Sequence, residues 1–134
     1  MPYSMIDHTA DIGIMVSAPA LKDLYEESAR AMIDIIGAHS IRKSREAMTI
    51  ETQGIDREDL LVRWLQEILF LVEVRGFRIE NITLEYLTDT DIRAQVTGEY
   101  SPDPLESEIK AVTYHNLQIR EIDNGYEVSI IFDI

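Results

Sequence analysis

Residues 56–75 constrain the fold of this chain more than any other stretch. Leu60, Leu61, Trp64, Leu65, Ile68, Leu69 and Val72 recur at helical spacing and mark one face. Val62, Phe70, Leu71 and Val74 add apolar groups elsewhere on the circumference. A helix apolar over so much of its surface is expected to be covered on two sides. Asp56 suits the N-cap, and Asp59, three residues on, is placed to reach back as in a capping box. Gly76 ends the helix.

The flanking segments supply the cover. Residues 3–6 read as a short edge strand. Residues 11–18 alternate, with Ile12, Ile14 and Val16 on one side and Asp11, Gly13, Met15 and Ser17 on the other. Residues 21–37 form a first helix that stops at Gly37, and residues 47–52 a further strand. Strands at 77–87 and 92–100 flank the polar turn Thr88-Asp89-Thr90-Asp91. Strands at 109–121 and 126–134 flank Asp123-Asn124-Gly125, a hairpin signal. The order is that of an α+β fold, with two helices packed on a largely antiparallel β-sheet. The two-sided second helix points further, to a layered β/α/β arrangement. With no repeat, low-complexity tract or internal boundary, residues 1–134 read as a single domain.

Charge narrows the function classes. Twelve basic and 25 acidic residues leave a net charge of −13. Nucleic-acid affinity rests largely on Lys and Arg contacts to phosphate, so strong direct binding of nucleic acid is not expected. An acidic protein fits a basic partner or a bound cation, and equally a surface that serves only solubility. The absence of cysteine removes disulfides, thiolate zinc sites and a Cys nucleophile. The N-terminus lacks the pattern of a signal peptide, and no apolar run is long enough to span a bilayer. No membrane association and a cytoplasmic location are the expectations.

The polar residues with most chemical potential lie near the two ends of the chain. Asp7, His8, Thr9 and Asp11 crowd the entrance of an apolar strand. At the other end, Asp133 and the terminal carboxylate of Ile134 close a strand whose apolar face carries Tyr126, Val128, Ile130 and Phe132. If the sheet brings Asp11 beside them, three oxygen anions converge, which suits a hard cation and not zinc. Solvated strand-end acids are the alternative, and patterning alone leaves both open. Lys110 opens a strand, either as an exposed edge charge or as the balance for a carboxylate cluster. His8 suits a loop-fixing hydrogen bond as well as a ligand or base, and His115 reads as a surface residue. There is no nucleophile-elbow pattern, no Gly-rich phosphate loop and no Arg cluster interleaved with aromatics.

Four motifs carry a family resemblance: Asp7-His8-Thr9-Ala10-Asp11-Ile12-Gly13-Ile14; Glu58-Asp59-Leu60-Leu61 leading into Trp64-Leu65-Gln66-Glu67-Ile68-Leu69; Lys110-Ala111-Val112-Thr113-Tyr114-His115; and Ile131-Phe132-Asp133-Ile134. In this order, over nearly the whole chain, they resemble archease. The resemblance implies an accessory protein, itself not an enzyme, that activates an RtcB-type RNA ligase in tRNA splicing by promoting its guanylylation and multiple turnover. It implies a divalent-metal cluster of Asp11, Asp133 and the carboxylate of Ile134, with Ca²⁺ as the ion and Mg²⁺ or Mn²⁺ as alternatives. It makes Lys110 the basic residue beside that cluster, and Lys110 and His8 the candidates for contact with the partner. Asp7 departs from the family, where Glu is frequent, and is not assigned as a ligand. Two other readings compete: a general adaptor or chaperone-like modulator of RNA- or DNA-modifying enzymes with a structural metal, and a stand-alone metal-dependent hydrolase. The hydrolase lacks an evident general base or oxyanion stabiliser.

Overall fold

The computed structural model describes residues 3–7, 11–40 and 46–134. Ten elements follow in order: β1 (Tyr3–Asp7), β2 (Asp11–Ala18), α1 (Leu21–Ile36), β3 (Glu46–Gln53), α2 (Arg57–Glu73), β4 (Phe77–Leu87), β5 (Asp91–Tyr100), β6 (Ala111–Val112), β7 (Ile119–Ile122) and β8 (Gly125–Asp133). They form two sheets, and every pairing of the named strands is antiparallel. The first sheet runs β1-β2-β8, and the far edge of β8 is shared by β6 at one end and β7 at the other. The second runs β3-β5-β4.

The helices lie between the sheets. α1 packs on β1, β2 and β8 of the first sheet and on β4 of the second; α2 packs on β6 of the first and on β3, β4 and β5 of the second. The expected α+β fold with a covered helical layer is the observed one. Of the apolar groups off the main face of α2, Val62 and Leu71 are buried, whereas Phe70 and Val74 stay exposed. Trp64 is fully buried, and its Nε1–H donates to the Tyr25 carbonyl at 3.0 Å, so the largest core side chain leaves no polar group unpaired.

The helix ends are set by local chemistry. Gly37, at φ 69°, takes the left-handed conformation that closes α1. Asp56 caps α2 by accepting from the Asp59 N–H at 2.8 Å. Asp59 does reach back, but to the Ile55 N–H at 2.9 Å, one residue before the cap.

The single strand expected over 109–121 is corrected. Only Ala111–Val112 and Ile119–Ile122 are strands, both against β8. Between them the chain turns: Asn116 adopts φ 52°, and the Leu117 N–H donates to the Tyr114 carbonyl at 3.1 Å. The segment spends its hydrogen-bonding capacity on α2 as well as on the sheet.

Candidate functional site

β2 and β8 pair in register from Ala18 opposite Tyr126 to Asp11 opposite Asp133. Directly opposed residues of an antiparallel pair share a face, with Cβ atoms about 4.5–5.5 Å apart. Asp11 and Asp133 therefore stand side by side at the end of the ladder, Asp11 half-buried and Asp133 exposed. Like charges placed directly opposite are destabilising, a repulsion that a cation between the two carboxylates would relieve. Among the described residues neither carboxylate forms an ion pair. Ile134 follows β8 directly and is exposed.

Lys110 comes to the same place from the other edge of β8. Its N–H donates to the Asp133 carbonyl at 2.7 Å, and Ala111 pairs with Asp133. Asp133 thus sits centrally, with Asp11 on one neighbouring strand and Lys110 beside the other. His8 and Thr9 lie outside the described residues. His115 is exposed, its ring next to the Asn116 amide at 3.3 Å.

The donor chemistry fits a hard cation, because Asp11 and Asp133 offer carboxylate oxygens and the adjoining backbone offers carbonyl oxygens. Among the described residues, no group of three or more His, Cys, Asp or Glu side chains is gathered closely enough to hold a metal ion. As a cation site the carboxylate pair would be a partial shell, needing main-chain oxygen, water or a partner to complete it.

A set of residues that the motifs left without a role supports this edge. Asp59, buried at the start of α2, accepts from the Ile55 N–H and from Arg63 Nε through Oδ2, both at 2.9 Å, and from the Tyr114 hydroxyl through Oδ1 at 2.6 Å. These donors, Tyr114 first, hold its carboxyl below the ordinary value. The same bond pushes the Tyr114 phenol up. Glu58 Oε2 accepts from the Ile119 N–H at 2.9 Å, Gln66 Nε2 donates to the Val112 carbonyl at 3.4 Å, and Glu73 Oε1 accepts from the Ile109 N–H at 3.3 Å. Partial burial raises the Glu73 carboxyl. Asp59, Gln66 and Glu73 recur at seven-residue spacing along α2, but Glu58, Arg63 and Glu67 are polar too, so the spacing alone does not single them out.

A cleft of about 950 Å³ lies at the second sheet. There Arg93 is shared between Glu51 at 3.4 Å and Glu85 at 3.5 Å, a mutually satisfied polar surface with no convergence on a reacting centre.

Fold and site together define an acidic α+β protein whose distinctive chemistry is a carboxylate pair closing one sheet. The chain belongs to the archease family: residues 3–134 match the profile of the Archease protein family (MTH1598/TM1083). It is 34% identical to the protein archease of Methanopyrus kandleri over the whole of both chains. It is 36% identical to that of Methanosarcina acetivorans, across 98% of this chain and 95% of the relative. Among solved structures, protein 1598 of Methanobacterium thermoautotrophicum superposes with a TM-score of 0.78 at 25% identity, covering 99% of each chain. An archease of Thermotoga maritima, described as a possible chaperone, superposes at 0.71 and 21% identity over 96% of this chain and 94% of that one. The last likeness bears on the fold alone. No helix among the described residues is long and apolar enough to cross a membrane.

Proposed function

We propose that this chain activates an RtcB-type RNA ligase, promoting guanylylation of the ligase, and that Asp11 and Asp133 are the residues through which it acts. The observation that carries the reading is their direct opposition across β2 and β8. Two carboxylates held side by side on a paired sheet are positioned by backbone, not by flexible loops. Asp11, Asp133 and a main-chain oxygen of Ile134 would hold a divalent cation, Ca²⁺ first and Mg²⁺ or Mn²⁺ next. When bound, such an ion supplies positive charge that favours a phosphate undergoing transfer. Asp11 and Asp133 orient that charge, and Lys110 presents a second cation at the same sheet end. The net charge of −13 favours encounter with a basic, RNA-binding surface and sets orientation on approach. The ligase carries the chemistry, and this chain acts as its accessory in the cytoplasm.

A general adaptor role is the second reading, favoured by an acidic surface that fits basic partners of more than one kind. A single-turnover guanylylation assay with the cognate ligase separates the readings. The wild-type chain is expected to accelerate guanylylation, and Asp11→Ala and Asp133→Ala are expected to abolish the acceleration while leaving the circular dichroism spectrum unchanged. Ligase binding without acceleration favours the adaptor. RNA processing in the absence of any ligase favours a hydrolase. Normal acceleration by both variants refutes the proposal.

A further inference from the structure

We infer that Asp59, Gln66 and Glu73 form a polar rail along α2 that positions residues 109–114, and through them Lys110, against Asp133. The three side chains are spaced seven residues apart, so they recur on one stripe of the helix. Each holds a successive part of the same segment: Glu73 the Ile109 N–H, Gln66 the Val112 carbonyl and Asp59 the Tyr114 hydroxyl. The segment runs antiparallel to the helix. Seven helical residues advance about 10.5 Å, and three extended residues cover about 10 Å, so the first two rungs match in length. Two further residues and the length of a tyrosine side chain reach the third.

The sheet alone does not explain how this segment is held. β6 has two residues; just outside it Lys110 is joined to Asp133 through one backbone hydrogen bond, and Thr113 donates its N–H and hydroxyl to the Ile131 carbonyl at 3.0 and 2.9 Å. Edge pairing that short is marginal by itself. Ile109 and Val112 are buried, which fixes the segment inward, and the backbone bonds to β8 set its register. Hydrogen bonds at defined points of a rigid helix hold the far side of this short edge against the sheet. Tyr114 is the clearest positioning residue: its ring is largely exposed, so its hydroxyl contact with buried Asp59 is its main tie to the protein. It acts through the segment and not by touching a ligand.

The test is amide hydrogen exchange on Tyr114→Phe and on Gln66→Met, each removing one rung with little change of volume. Exchange at the Lys110 and Thr113 amides is expected to accelerate about tenfold or more in Tyr114→Phe, which loses a hydrogen bond to a charged group, and about two- to tenfold in Gln66→Met, which loses a neutral one. The Ile14 and Ile130 amides in the β2–β8 ladder are expected to keep their rates. The functional arm rests on the ligase reading: both variants are expected to reduce stimulation of guanylylation at saturating concentration. Unchanged exchange at Lys110 and Thr113 in both variants overturns the rail, whatever the activity. Faster exchange with undiminished stimulation, in an assay where Asp11→Ala abolishes it, overturns the positioning role. If Asp11→Ala still stimulates, the ligase reading fails, and the exchange result alone decides whether the rail exists.

Discussion

Asp59 shows how one side chain can serve several elements. Its carboxylate joins the turn before α2, the helix itself and the Tyr114 loop. Removing it would strand donors that are otherwise paired. Because the folded state holds its carboxyl below the ordinary value of 3.8, Asp59 contributes stability that is present above that value and lost as pH falls through the lower, folded one. Asp59→Asn is therefore expected to be less stable than wild type at neutral pH, with the two curves converging in acid. Denaturant titrations from neutral pH to about pH 2 check this, and parallel curves would contradict it. At this scale the sequence was partly legible. Asp11 and Asp133 stood out as strand-end acids, and the structure places them directly opposite each other. Asp59 was visible only as a capping residue, because its contact with Tyr114 spans 55 positions and no local pattern announces it.

The elements with strong periodicity were legible from their own residues. α2 and the strands β2 and β4 fall where apolar spacing and Gly or Pro punctuation put them. Residues 109–121 misled, because alternation continues there while the chain turns at Asn116 between two pieces that both pair with β8. A strand signal records which face is apolar, not whether the neighbouring strand or a helix takes the hydrogen bonds. The β7–β8 turn held a second surprise. Ile122 pairs with Gly125, so Asp123 and Asn124 form the loop and the glycine opens β8. Gly125 has φ 147°, and a Cβ there would stand 2.1 Å from the Ala18 carbonyl oxygen, where β2 ends. This glycine lets two strands meet as well as letting the chain turn. Gly125→Ala is expected to destabilise the protein by about 1–3 kcal/mol through that close contact and the backbone strain. Equilibrium urea unfolding measures it, and a variant as stable as wild type would contradict the packing described.

At the scale of the whole molecule, the first sheet joins parts of the chain that are far apart in sequence. β2 lies beside β8, so Asp11 meets Asp133 across nearly the full sequence. Patterning alone left that closure open, because strand order depends on how the helical layer seats both sheets; only the family resemblance implied it. The helices supply it: α1 packs against β2 and β8 together, while α2 holds the segment that brings Lys110 to the opposite edge. In the function proposed above, this closure builds a site for a hard cation. Calorimetric titration of Ca²⁺ into the wild-type chain, Asp11→Asn and Asp133→Asn tests it most directly. One saturable site is expected in the wild type, weakened by about tenfold or more in each variant as a carboxylate ligand is lost. Absence of binding to the wild type, or equal binding in all three proteins, would contradict it.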